Sequence, residues 1–150
     1  MKTIMRHRGI RITLAVIETF IGLGAIGGGI AILAGAFAQW LPTEWLQGTP
    51  FRDYTIIGLI LTVVVGGGML LAAGMVFIQR EWAVLLSAAM GLIMVGFEVV
   101  EIAVIDRHEQ AVIPSTVAQQ VLFSALGLVI FGLAAYLWVT EYRRPRVGAL

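Results

Sequence analysis

At 150 residues the chain has the length of one compact domain. Its composition is 59% hydrophobic and 13% charged with a mean hydropathy of +0.95, which leaves too few charges to cover several helix-length apolar runs and excludes an ordinary water-soluble fold. The absence of cysteine excludes disulfides, thiolate metal sites, CxxC redox chemistry and a cysteine nucleophile, and the net charge of +1 informs only through its distribution.

Crossing ~30 Å of hydrocarbon at about 1.5 Å per residue takes about 20 apolar residues, and four runs of that length follow one another along the chain. The first, 12–37, is preceded by the basic stretch Lys2, Arg6, His7, Arg8 and Arg11. It is too long for the apolar region of a secretory signal, so it reads as a retained span. The connection from Gln39 to Asp53 carries Pro42, Trp45, Leu46, Gly48 and Pro50 and reads as a short connector in the headgroup region. Thr49-Pro50 offers a capping hydroxyl before a proline at a first helical position, ahead of the second span at 54–78. The third span covers 82–105. The fourth covers 117–139, where Thr116 and Gln119 have the spacing of a capping box.

Orientation follows from counting basic residues. With the amino terminus inside, the inner segments hold Lys2, Arg6, Arg8, Arg11, Arg80, Arg143, Arg144 and Arg146, against Arg52 and Arg107 outside. The connections are short, and an odd number of spans would place the two basic termini on opposite sides. The expected fold is therefore an all-α, up-down-up-down bundle of four transmembrane helices, a single domain with both termini cytoplasmic. Aromatic residues fit this placement, with Trp40, Trp45, Phe51 and Tyr54 at the outer boundary and Trp82, Trp138 and Tyr142 at the inner one.

Eighteen glycines in such a chain are packing devices first, because lipid supplies little drive for helix association and small residues let backbones approach. Gly24 and Gly28, Ala31 and Gly35, Gly68 and Ala72, and Ala83, Ser87 and Gly91 recur at four-residue intervals; Ala118, Ala125 and Gly132 recur at seven. Gly27-Gly28-Gly29 with Ala34-Gly35 echoes Gly66-Gly67-Gly68 with Ala73-Gly74, and Gly91-Leu92 with Gly96 echoes Gly127-Leu128 with Gly132. Either chance or an inverted repeat accounts for these echoes. Triple glycine in mid-span costs helix propensity, so a tight crossing or a local break is expected there.

Three ionisable residues fall within the spans: Glu18, Glu98 and Glu101. Glu18 is expected near the inner boundary, reaching Arg11 or the Arg80 loop as an anchor, and is a secondary candidate for ion binding. Glu98 lies about 7 Å beyond the midpoint of the third span toward the outside, with Glu101 at i+3 on nearly the same side. Two carboxylates so placed repel unless a proton, a cation or donors stand between them. Partners are available in Gln119 and Gln120, in Thr62, and in the loop residues Asp106, Arg107, His108 and Glu109. The functional reading is an ion- or proton-binding site made of Glu98, Glu101, Gln119 and Gln120. The structural reading is a hydrogen-bond network joining spans three and four, with Glu101 paired to Arg107. A metal centre is not expected, since Glu-x-x-Glu with one loop histidine lacks the Glu-x-x-His of di-iron bundles. Neither a nucleotide, protease or nucleophile motif nor a pair of haem ligands is present, so no cofactor and no enzymatic activity are expected. The basic carboxyl terminus serves topology and anionic lipid, and nucleic-acid binding is not supported.

The stretch Trp45-Leu46-Gln47-Gly48-Thr49-Pro50-Phe51-Arg52-Asp53-Tyr54-Thr55-Ile56, leading into Gly58-Leu59, resembles a motif of small, uncharacterised four-span bacterial membrane proteins. The chain has Ile57 where that pattern carries proline, which leaves the start of the second span less kinked. The resemblance implies a four-span bundle in a bacterial cytoplasmic membrane and carries no activity with it. Two functions are expected as alternatives: a small proton- or cation-linked transport or channel component, or a non-catalytic accessory subunit. The lipid bilayer and a homo-oligomer or larger membrane complex are the partners expected.

Overall fold

A backbone surrounded by hydrocarbon has no water to bond and must satisfy its amides internally. In the computed structural model, which describes residues 7–105 and 114–143, each apolar run does so as a helix. These are α1 (Arg8–Leu33), α2 (Thr55–Met75), α3 (Glu81–Ile105) and α4 (Pro114–Trp138), the last continued by a π-helical turn at Val139–Arg143. All four are long and apolar enough to cross a membrane, and no strand occurs among the described residues. Phe20, Val63, Val99 and Val121 point outward from the four helices, each more than half exposed. In water such a surface would aggregate; hydrocarbon accepts it.

The helix ends differ from the sequence expectation for local reasons. α1 starts at Arg8 and so takes in Arg11, a charged residue that an apolar count leaves outside. It stops at Leu33 rather than at 37 because Gly35 adopts φ +73°, the left-handed conformation that glycine takes freely. The Gly35 N–H donates to the Ile32 carbonyl at 3.0 Å and the Ala36 N–H to the Ala31 carbonyl at 2.9 Å, the Schellman pattern that ends a helix. Gly35 is thus a helix stop, not the packing partner of Ala31.

Between α1 and α2 a 3₁₀ turn, Thr43–Leu46, packs against α3 and inserts Leu46, which is 2% exposed. The connector is therefore a folded cover. Thr49 does not cap α2. Its hydroxyl donates to the Leu46 carbonyl at 2.7 Å and accepts the Phe51 N–H at 3.2 Å, closing a turn. Tyr54 holds the N-cap position, and the side-chain acceptor comes from Asp53 just ahead of it, whose Oδ1 accepts the Thr55 N–H at 2.9 Å. Likewise α4 has already begun at Pro114, so Thr116 lies within the helix and not ahead of it.

α2 is continuous but irregular. Its α-helical ends, Thr55–Leu59 and Gly68–Met75, flank a π-helical stretch over Ile60–Gly67 that runs into the triple glycine. Both consequences expected of that triplet occur together, because Gly66 is also a close crossing point. A Cβ on Gly66 would fall 2.5 Å from Ile26 Cγ1 and 3.1 Å from the Gly22 carbonyl oxygen.

Packing follows these crossings. Gly22 meets Leu70 and Gly66, while Gly29 meets Gly58 and Thr62, so positions rise along α1 as they fall along α2. On the other side Gly91 faces Gly127, with built Cβ atoms 2.6 and 2.8 Å from the opposing carbonyl oxygens. α2 against α3 and α4 against α1 close the bundle around a core of Leu14, Ile21, Val65, Met69, Val84 and Ile130.

The small-residue seams are partly those expected. Ala83, Ser87 and Gly91 are all buried, and Ala72 is buried behind Gly68, which abuts Met90. Gly24 meets nothing, Gly28 makes only an ordinary contact with Leu61, and Ala118, Ala125 and Gly132 all face outward. The α1 seam uses Gly22 and Gly29 instead, and α4 uses Gly127. Of the two echoes, the one between α3 and α4 has a structural counterpart: Gly91 and Gly127 touch, and Gly96 and Gly132 are both open. The other does not, since Gly35 ends a helix and Gly74 lies within one.

Two outcomes follow. Gly91→Ala drives a Cβ into the Gly127 backbone and is expected to cost roughly 1–3 kcal/mol in unfolding from lipid or detergent, whereas Gly132→Ala, with open space around it, is neutral or stabilising. The bond from the Thr55 N–H holds the Asp53 carboxyl below its ordinary pKa. Its capping contribution is therefore present above the ordinary carboxylate range and lost as pH falls through the lowered value. Hydrogen exchange at the Thr55–Leu59 amides should accelerate in that acid window, and Asp53→Ala should abolish the acid dependence.

Candidate functional site

At the end of the bundle where α1 begins, Arg11, Glu81, Glu141 and Arg143 all have partners. Arg11 is buried, donating from Nη1 to the Val76 carbonyl and from Nη2 to the Glu141 carboxylate. One guanidinium thereby ties α1 to the exit of α2 and to the end of α4, and supplies a cation where α2 leaves unpaired carbonyls. Trp138 Nε1 donates to Glu81 Oε1 at 2.8 Å, linking α4 to α3. Arg143 lies 4.5 Å from the centre of the Trp138 ring, and His7 meets Tyr136 edge-on at 5.9 Å.

Glu18 was expected to share in this cluster, and it does not. Arg11 turns to Glu141, and Glu18 sits about 15 Å along α1 from Arg8, wholly buried on the stripe that also carries Leu14, Ile21 and Ala25. Across the core it faces Ser87 of α3, which is buried as completely. The two side chains meet in a contact short of regular hydrogen-bond geometry. Buried polar atoms are nearly always well bonded, so a fully buried carboxyl with this contact marks an unusual spot.

Glu98 lies on the same buried stripe of α3 as Ser87, eleven positions and about 16 Å further along the helix. It is 3% exposed. The register set by Gly91 against Gly127 and Glu81 against Trp138 puts Gln120 of α4 opposite it, and Gln120 is buried with its Nε2 unbonded. Glu101 is half-buried and near enough for its charge to act on Glu98. Gln119, by contrast, points outward. Thr62 is also elsewhere: its hydroxyl donates to the Gly58 carbonyl at 2.8 Å, within α2. Asp106, Arg107, His108 and Glu109 lie outside the described residues, and so do Lys2, Arg6, Arg144 and Arg146.

The bundle thus carries two buried polar layers, Glu18 with Ser87 and Glu98 with Gln120. Between them stand Met90 and Met94 of α3, both buried, with Met90 abutting Gly68 of α2. Among the described residues no three His, Asp or Glu side chains converge as a metal cage. A half-open cavity of about 380 Å³ lies under the outer connector, lined by Ile32, Phe37, Leu41, Glu44 and Tyr54, and includes neither layer. Of the residues expected at a site, the structure buries Glu98 and Gln120; sequence reasoning missed the Arg11–Glu141 pair and the meeting of Glu18 with Ser87. Arg11 and Glu141 flank the first and fourth apolar runs at ends expected on the same side, a signal available for the first; nothing in the sequence pointed to the second. The chain matches no protein-family model, no curated protein and no solved structure.

Removing one partner of a buried ion pair strands the other, so Arg11→Ala should destabilise the bundle by roughly 3 kcal/mol. In thermal unfolding the Arg11→Met, Glu141→Met double variant should recover most of that loss. Equal instability of the single and double variants would show that the pair is not what the substitution breaks.

Proposed function

We propose that this protein is a small proton- or cation-linked transport component of a bacterial cytoplasmic membrane, an up-down-up-down bundle with both termini inside. Glu98 and Gln120 bind the ion or proton in the outer half, and Glu101 stands at the mouth of the site. The observation that carries this reading is the buried, facing pair formed by a carboxyl and an unsatisfied amide on different helices. Ionisable groups placed within the hydrocarbon are expensive, and they concentrate on ion and proton pathways. The basic residues support the orientation: Arg11 and Arg143 gather with Glu141 and Trp138 at one end of the bundle, opposite the connector that carries Arg52. The resemblance of the Trp45–Ile56 stretch to small bacterial four-span proteins supports the location.

A second reading, an accessory subunit in a homo-oligomer or larger complex, draws on Gly24, Gly27, Gly96 and Gly132. These leave open backbone on the outer faces, where another helix can approach. In that case the glutamates hold helices together.

Reconstituted into liposomes, the native chain is expected to carry gradient-driven proton or cation flux above empty vesicles. Glu98→Gln should lower that flux by roughly a hundredfold with the thermal transition unchanged, as expected for loss of a positioned proton-transfer group. Glu101→Gln should lower it less. Flux at the level of empty liposomes, with both variants losing thermal stability, would favour the accessory reading.

A further inference from the structure

The inner polar layer has no role in the outer site. Glu18 and Ser87 are each 0% exposed, come from helices on opposite sides of the core, and meet in a contact short of regular hydrogen-bond geometry. That single hydroxyl is the polar company of a carboxyl otherwise set among apolar core residues, whereas the Glu81 carboxylate that fastens Trp138 is exposed. We propose that Glu18 and Ser87 form a second, enclosed proton-binding site, in series with Glu98 and separated from it by the methionine layer of Met90 and Met94. This rests on the transport reading for its purpose, though not for its existence.

The chemistry selects the ligand. The Ser87 hydroxyl can donate to an ionised carboxylate oxygen or accept from a protonated one, so it serves Glu18 in either state. A bound proton removes the charge that an enclosure lined by Leu14, Ile21 and Val84 cannot solvate, which one hydroxyl does not offset. A hydrated cation is a worse fit, since Leu14, Ile21 and Val84 on the flanking turns are themselves fully buried and would have to move. The surrounding charges leave the site electrically isolated. Arg11 shares the Glu18 stripe two turns away and is occupied by Glu141 and the Val76 carbonyl. α2 contributes no titratable side chain, α3 presents Glu98 three turns beyond Ser87, and α4 faces the core with Gln120 and Glu141 at opposite ends.

The separator matters too. Unbranched methionine side chains change shape at lower cost than branched ones, so the Met90–Met94 layer blocks water while it can still be displaced. Gly68, at the junction of the π-helical and α-helical parts of α2, gives Met90 the space it occupies.

The test uses the full chain in lipid, read by infrared difference spectroscopy across a pH step and by proton flux. Native protein should show a pH-dependent protonated-carboxyl band that Glu18→Gln removes and Ser87→Ala shifts, while the Glu98 band survives both. Flux should fall by roughly tenfold or more in Glu18→Gln and less in Ser87→Ala. Glu18→Gln, which keeps a neutral hydrogen-bonding group beside Ser87, should hold the native thermal transition at acid pH and remove the part of its fall at alkaline pH that comes from ionising Glu18. A spectrum unchanged by Glu18→Gln, or a pH dependence of the transition that the variant leaves unaltered, overturns the proposal. If Glu98→Gln abolishes flux and Glu18→Gln leaves it at the native rate, the series arrangement fails and the outer site stands. If no variant and no native sample carries flux, the transport reading fails, and the infrared band alone decides whether Glu18 binds a proton.

Discussion

At the α3–α4 crossing the carbonyl of Gly91 occupies the space where a Cβ on residue 127 would stand, and the carbonyl of Gly127 does the same for residue 91. The α1–α2 crossing repeats the device with Gly22, Gly29, Gly58 and Gly66. In hydrocarbon there is no hydrophobic gain in bringing two apolar helices together, so close dispersion contact has to supply the association. These two seams fix the register of each pair, and the register fixes which polar groups meet. Gly91 against Gly127 is what places Glu98 opposite Gln120.

Depth divides the polar groups into two kinds. At the end where α1 begins, Arg11 is held by Glu141 and a helix-terminal carbonyl, and Trp138 by Glu81. At the other end Asp53 bonds the first amide of α2, and the Tyr54 hydroxyl donates to the Pro42 carbonyl at 3.2 Å. Between these ends, where a poorly made bond is most costly, Glu18 meets Ser87 in an irregular contact and Gln120 leaves its Nε2 unbonded. A bundle built for rigidity alone would invert that distribution.

The four helices were legible because length and apolar run are dictated by the thickness of a bilayer. Glu98 and Gln120 stood out in the sequence because an acid and an amide near the same depth on adjacent spans are rare, and the structure buries both. Seam glycines were not. In a helix with glycine at 22, 24, 27, 28 and 29, four-residue counting selects several faces, and only the partner helix decides between them; here it chose 22 and 29. Arg11 was misassigned because an apolar count ends a span at a charge, whereas this arginine is neutralised within the helix. With Arg11 taken by Glu141, Glu18 lost its expected partner and moved from anchor to core. The role of Gly35 was hidden because a left-handed stop and a packing glycine look alike in sequence.

A poorly made hydrogen bond on a buried polar atom costs about 1–3 kcal/mol, and Glu18, set among Leu14, Ile21 and Ala25 with an irregular contact to Ser87, carries such a cost. Elsewhere in the bundle local rules are kept: Gly35 stops α1, Asp53 bonds the first amide of α2, and Arg11 is paired with Glu141. Places where local rules are broken without a compensating contact are where function is expected. The α2 helix adds to the case. Its backbone leaves regular α geometry over Ile60–Gly67 and resumes it at Gly68, the residue against which Met90 rests. π-helical turns are rare and recur at functional sites. This one ends at the layer that divides the two buried carboxyls, so the least regular backbone in the bundle lies beside the barrier a proton would have to cross.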